Sequence, residues 1–76
     1  NMKFDAIVDA RGLKCPLPIL HCKRGLNSLK SGQILKIQTT DKNATKDFEA
    51  FCENTGHRIN SSETLNKITT FYITKN

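Results

Sequence analysis

Two stretches of helical period, each set between runs of β-forming residues, constrain this chain more than any other feature. From Pro16 to Leu29 the apolar residues Ile19, Cys22, Leu26 and Leu29 recur at helical spacing and make one stripe. From about Asn43 to Asn54 a second stripe runs through Ala44, Phe48, Phe51, Cys52 and Thr55. A chain of 76 residues has room for one small core, so both stripes must be covered by the same sheet.

The rest of the chain supplies that sheet. Phe4 to Asp9 reads as a short strand centred on Ile7 and Val8, and Gln33 to Thr40 as a second, with Leu35 and Ile37 sharing a face. Arg58 to Glu63 is a weak strand anchored by Ile59, and Ile68 to Thr74 a strong one, rich in β-branched and aromatic residues. The turn through Thr64, Leu65, Asn66 and Lys67 is hairpin-like. The order β-α-β-α-β-β predicts an α+β fold: a two-layer α/β sandwich, a four-stranded mixed sheet with both helices on one face. No third layer is available, so the open face should be polar, with Lys36, Thr70 and Thr74 on it. Gly25 inside the first helix costs about 1 kcal/mol relative to Ala, a cost that a close approach to the sheet would explain, and Gly56 sits where a left-handed residue ends the second helix.

Bulk properties narrow the function classes. Hydrophobic residues make up 37% and charged residues 25%, which fits a globular domain and excludes a disordered one. No apolar run reaches the ~20 residues of a membrane helix, and no apolar leader suggests secretion. Asn1 ahead of Met2 reads as the remnant of a cleaved tag, so one domain is expected over residues 2–76. Three cysteines, an odd number without a Cys-x-x-Cys pair, point to the reducing cytoplasm. With only His21 and His57 beside them, zinc spacing is absent and no metal site is expected. The net charge of +5 suits acidic proteins, nucleic acid or anionic lipid as partners.

The chemistry concentrates at Cys15-Pro16-Leu17-Pro18. This segment follows the first strand and opens the first helix, with Arg11-Gly12-Leu13-Lys14 as the connection and Gly12 free to turn. Pro16 fits the first helical position, where its missing N–H costs nothing. A helix N-terminus favours an anion by about 0.3–1 kcal/mol, and one pKa unit is about 1.36 kcal/mol. The dipole, helped by Arg11 and Lys14, predicts a thiol moderately more acidic than the ordinary ~8.5. With Pro16 and Pro18 lacking N–H groups, Leu17 N–H is the donor nearest the sulfur, so the sulfur is lightly held and able to release a cargo. A chance Cys before a helix-start Pro is the bland alternative. Cys22 and Cys52 fall on the apolar stripes and read as core residues, and His21 and His57 as surface or satisfied side chains.

The run Asp9-Ala10-Arg11-Gly12-Leu13-Lys14-Cys15-Pro16-Leu17-Pro18 resembles the opening motif of the TusA/SirA-like sulfur-carrier family. Leu29-Lys30-Ser31-Gly32, the acids Asp41 and Asp47, Phe51-Cys52-Glu53-Asn54-Thr55-Gly56-His57 and the closing Phe71 to Lys75 extend the resemblance from about Asp5 to Lys75. It departs at Lys42, where a Pro often follows the first acid, and at Phe48-Glu49, where an apolar-Pro pair is common. The resemblance implies a carrier that takes sulfane sulfur as a persulfide on Cys15 and passes it on. Arg11, Gly12, Pro16 and Pro18 support the motif, and no cofactor is implied beyond the carried sulfur. Implied partners are a cysteine desulfurase or rhodanese-like donor and a downstream acceptor, with tRNA thiolation, molybdenum cofactor assembly or sulfur-compound metabolism as outlets. Some family members work with membrane transporters of sulfur compounds. Lys14, Lys23 and Arg24 would dock acidic partner surfaces by charge steering, and a monomer is expected.

Three rivals stand beside this reading. RNA binding is invited by the charge, but Phe48 and Phe51 belong to a core stripe and no stacking platform with interleaved basic residues is evident. A thiol oxidoreductase wants a resolving cysteine nearby, and Cys22 lies two helical turns away. The third is a regulatory interaction domain with an inert Cys15.

Overall fold

The computed structural model describes residues 3–76; the expected domain start at Met2 and the tag remnant at Asn1 lie outside the described residues. Six elements follow in the expected order: β1 (Ala6–Ala10), α1 (Leu17–Asn27), β2 (Ile34–Thr39), α2 (Ala44–Thr55), β3 (Arg58–Leu65) and β4 (Ile68–Thr74). The strands form one mixed sheet in the order β1-β2-β4-β3. β1 runs parallel to β2, with Val8 opposite Ile37, and β4 runs antiparallel to both β2 and β3. The expected α+β architecture is therefore the observed one.

Alternation decides which side chains meet. Leu35, Ile37 and Thr39 of β2, and Thr69, Phe71 and Ile73 of β4, are buried every second residue. Against them pack Pro18, Cys22 and Leu26 of α1 and Ala44, Phe48 and Cys52 of α2. Phe48 and Phe71 stack with ring centroids 4.5 Å apart, joining α2 to the central strand. Both stripes are narrower than their periodicity suggests. Ile19, Leu29 and Phe51 only flank the core. Thr55 is exposed, its hydroxyl donating to the Phe51 carbonyl at 2.6 Å.

Pro18, read from the sequence as a residue without an N–H, lies fully buried in the first turn of α1. Its ring has no N–H to satisfy at that position, so it packs as a hydrophobe. At Gly25 the helix lies close on the sheet: a Cβ there would lie 2.9 Å from Val8 Cγ2 and 3.1 Å from Leu35 Cδ1. Gly56 ends α2 at φ 84°, its N–H donating to the Cys52 carbonyl at 2.8 Å.

The hairpin is tighter than the sequence suggests. β3 runs two residues past its expected end at Glu63, to Leu65, and the turn is Asn66-Lys67, with φ 53° and 66°. Two consecutive left-handed residues match the twist of the flanking strands. The open face is mixed rather than polar. Lys36 and Thr70 lie on it as expected, but so does Ile7, 56% exposed. Phe4 and Tyr72 flank Lys36, whose Nζ sits 5.2 Å and 5.8 Å from the two ring centroids. An aromatic–basic contact thus exists where none was read from the sequence. Period two forces it, because Lys36 and Tyr72, next in the chain to core residues Leu35 and Ile73, must point the other way.

Candidate functional site

The segment between β1 and α1 is fixed at three points. Asp9 accepts from the Arg11 backbone N–H at 3.1 Å and from its guanidinium at 2.8 Å and 2.9 Å. The pair holds the Asp9 carboxyl down at about 2, with the side-chain hydrogen bond from Arg11 as the main cause. Gly12 adopts φ 80° and its N–H donates to Thr40 Oγ1 at 2.9 Å, tying the loop to the end of β2. Leu17 N–H donates to the Lys14 carbonyl at 2.8 Å, which closes the turn that displays Cys15. The Cys15–Pro16 peptide bond is cis. The helix begins at Leu17, so Pro16 caps it rather than occupying the first helical position expected for it.

Cys15 is exposed, whereas Cys22 and Cys52 are buried. The sulfur opens onto a shallow groove lined by Leu13, Lys14, Thr40, Asp41, Lys42 and Asn43. The β2–α2 connection supplies the groove's far wall. Asp41 N–H donates to Thr39 Oγ1 and Asn43 N–H to Asp41 Oδ1, both at 3.2 Å, so the connection curls and turns Asp41 and α2's first turn towards the thiol. Cys15 Sγ, one oxygen of Asp41 and one of Asp47 all lie within 4.8 Å of one another.

This convergence overturns the expectation of an acidified thiol. The Cys15 thiol is pushed up, first by its hydrogen bond to Asp47, then by burial, then by the negative charges of Asp47 and Asp41. Neither Arg11 nor Lys14, the helpers expected from the sequence, offsets this rise. Arg11 is engaged with Asp9, and the Leu17 N–H read as the donor nearest the sulfur is spent on the Lys14 carbonyl. A carboxylate accepting from the S–H holds the proton in place. A thiol and two acids are also a donor set a cation accepts, yet exposed acids commonly meet without one, and nothing else at this spot points to an ion.

The surface around the sulfur is partly apolar. Leu17 and Leu20, at the Cys15 end of α1, are each 41% exposed. Leu20 lies one turn from Leu17, and Lys23 and Arg24 one turn further on, all exposed. The basic residues expected to dock partners thus stand before and beyond these leucines, Lys14 in the groove wall and Lys23 and Arg24 further along α1. The leucines were missed because Leu20 sits just off the apolar stripe, where a single leucine carries no signal. The thiol–acid contact was missed because it joins two distant segments; only the family pattern marked Asp41 and Asp47.

Comparison with known proteins agrees with this reading. The family described as sulfurtransferase TusA matches residues 6–75. The chain belongs to the TusA family. It is 42% identical over 74 residues to the candidate sulfur carrier YrkI of Bacillus subtilis, covering 97% of this chain and 99% of that protein. It is 48% identical over 60 residues to the sulfur carrier protein TusA of Allochromatium vinosum, 79% of each chain being covered. The crystal structure of a SirA-like protein from Desulfitobacterium hafniense superposes with a TM-score of 0.75 at 23% identity, over 92% of this chain and 96% of that one, and shows the shared fold. A sulfur-carrier role follows from membership of this family. Among the described residues no helix is long and apolar enough to cross a membrane.

Proposed function

We propose that the protein carries sulfane sulfur as a persulfide on Cys15, between a cysteine desulfurase or rhodanese-like donor and an acceptor protein. The observation that carries this reading is the contrast among three free thiols: Cys15 is exposed at a groove, and Cys22 and Cys52 are sealed in the core. A carrier needs one sulfur that two successive partners can reach and no second thiol close enough to steal the cargo. In the loading step the Cys15 sulfur attacks the terminal sulfur of the donor persulfide. The new Cys15 S–S bond forms as the donor's S–S bond breaks, and the donor leaves as a thiol. One sulfane sulfur moves, and the pair undergoes no net oxidation or reduction.

The partner surface consists of Leu17 and Leu20 with Lys14, Lys23 and Arg24 around them. An apolar centre inside a basic rim suits an acidic-rimmed partner pocket. Arg11 and Gly12 hold the loop that presents the sulfur, and Pro16 and Pro18 seat the helix behind it. No other cofactor is needed, and transfer proceeds between a monomeric carrier and each partner in turn. Three free cysteines support a reducing, cytoplasmic setting for this chemistry. Thiolated tRNA, molybdenum cofactor assembly and sulfur-compound metabolism are all outlets compatible with the same handover.

Intact-mass measurement after incubation with a cysteine desulfurase and cysteine tests the proposal. The wild type should gain the mass of one sulfur atom, lost again on reduction, and Cys15→Ser should gain none. A Cys15→Ser protein that still loads would refute the assignment.

A further inference from the structure

The established role needs a sulfur that is nucleophilic when a donor arrives, yet this sulfur stands against two carboxylates. Charged groups reach it from each neighbouring segment: Lys14 from its own loop, Asp41 and Lys42 from the β2–α2 connection, and Asp47 from the first turn of α2. Helix α1 contributes no acidic residue in its first turn. Both acids bring a carboxylate oxygen within 4.8 Å of the sulfur; of the two, Asp47 acts on the thiol more strongly, and it is only part-exposed. It is the acidic residue of the first turn of α2.

We propose that Asp47 is the proton acceptor of Cys15: it holds the S–H proton in the empty carrier and receives it as the sulfur attacks. The inference rests on the carrier reading and adds a catalytic residue to it. In the loading step the proton leaves Cys15 for an Asp47 oxygen as the new S–S bond forms. Asp47 then returns it to the donor thiolate that departs, so protons and sulfur both balance. The thiol's raised pKa fits this arrangement, because a neutral S–H is the state the carboxylate favours.

Loading also releases the hold. An S–S bond is about 2.05 Å long, so the terminal sulfur of a Cys15 persulfide stands a full bond further out than the sulfur Asp47 grips. The empty carrier is thereby kept unreactive towards stray electrophiles, while the loaded terminal sulfur sits beyond the carboxylate and is free to ionise. One side chain distinguishes the two states of the cargo site.

The pH dependence of iodoacetamide alkylation at Cys15, followed by mass spectrometry in buffer containing a chelator, reads the first half of the proposal. Wild type should titrate above the ordinary thiol range. Asp47→Asn should titrate lower and react several-fold faster at pH 7.5, Asp41→Asn should shift less in the same direction, and Asp47→Glu should stay close to wild type. If Asp47→Asn proves unfolded by circular dichroism, Asp47→Ser removes the same charge. The second half is read by loading from glutathione persulfide. Per unit of thiolate, Asp47→Asn should load at least several-fold more slowly than wild type, and Asp47→Glu should recover part of the loss. An Asp47→Asn alkylation profile that superimposes on wild type or moves upward, or an unchanged loading rate per thiolate, overturns the proposal. Failure of the wild type to load from any persulfide would instead overturn the carrier reading, and the alkylation profiles would still decide what Asp47 does.

Discussion

Cys15 and the pair Cys22 and Cys52 are held as neutral thiols by opposite means. Cys22 is pushed up to about 12 and Cys52 to about 11, each chiefly by burial, in a core whose other members are aliphatic and aromatic. Cys15 is exposed and is held by a carboxylate that accepts its proton. Burial can be undone only by opening the fold. A hydrogen-bonded carboxylate can be undone by one proton transfer or by the arrival of a charge. The same protonation state is therefore permanent in one region and conditional in the other, and only a conditional one is useful to a carrier.

The largest expected effect separates the regions by reactivity. Under native conditions iodoacetamide should label Cys15 alone, with Cys22 and Cys52 slower by at least ~10³-fold, since reaching them requires opening a core worth several kcal/mol. In guanidinium all three should label. A second label acquired at a comparable rate by a protein whose near-ultraviolet circular dichroism is intact would erase the distinction.

The contrast depends on α1, which carries Cys15 beyond one end and Cys22 in its middle. Gly25 fixes how close that helix lies to the sheet. Gly25→Ala in an exposed helix would stabilise by about 1 kcal/mol. Here the new methyl would meet Val8 Cγ2 at 2.9 Å and Leu35 at 3.1 Å, side chains with little room to move. Overpacking of this kind costs about 1–3 kcal/mol, so the net change should be destabilising by up to ~2 kcal/mol in urea melts. A stabilised Gly25→Ala variant would mean that the helix can lift off the sheet, and it should then show faster labelling at Cys22 as well.

Much of this was legible in the sequence, and the boundary of legibility has physical causes. Periodicity located all six elements, and Ile68–Thr74 agreed to the residue because an alternating, β-branched strand has no competing reading. The ends of the helices moved by a residue or two, since capping there depends on local geometry: α1 stops at Asn27, short of Leu29, where Ser28 turns its hydroxyl back onto the Gly25 carbonyl at 2.8 Å. Gly25 and Gly56 were readable because a missing side chain implies a specific need. Pro18 in the core was not, because proline announces backbone restriction and hides its apolar surface. The position of Cys15 could be read from its motif, but its chemistry could not. That depends on which of its neighbours are already engaged, and Arg11, counted as a helper, is taken by Asp9 two residues before it.

That engagement yields the smallest effect and the closest check on the comparison. Asp9 and Asp47 are both aspartates beside the same short segment, one bonded to a guanidinium and the other to a thiol. The guanidinium lowers Asp9 from 3.8 to about 2, so the folded state binds fewer protons than the unfolded one between those values. The pair's contribution to stability is therefore fully present above about 3.8 and disappears as pH falls through about 2. Both groups are exposed, so acid melts should register little of it. Carboxyl-detected NMR is the sharper readout: in Arg11→Gln the Asp9 titration should climb back towards 3.8. The Cys15 alkylation profile in the same variant should hardly move, because the guanidinium is already paired with Asp9. A Cys15 titration that climbs markedly when Arg11 is neutralised would show that the guanidinium reaches the sulfur after all, despite its pairing with Asp9.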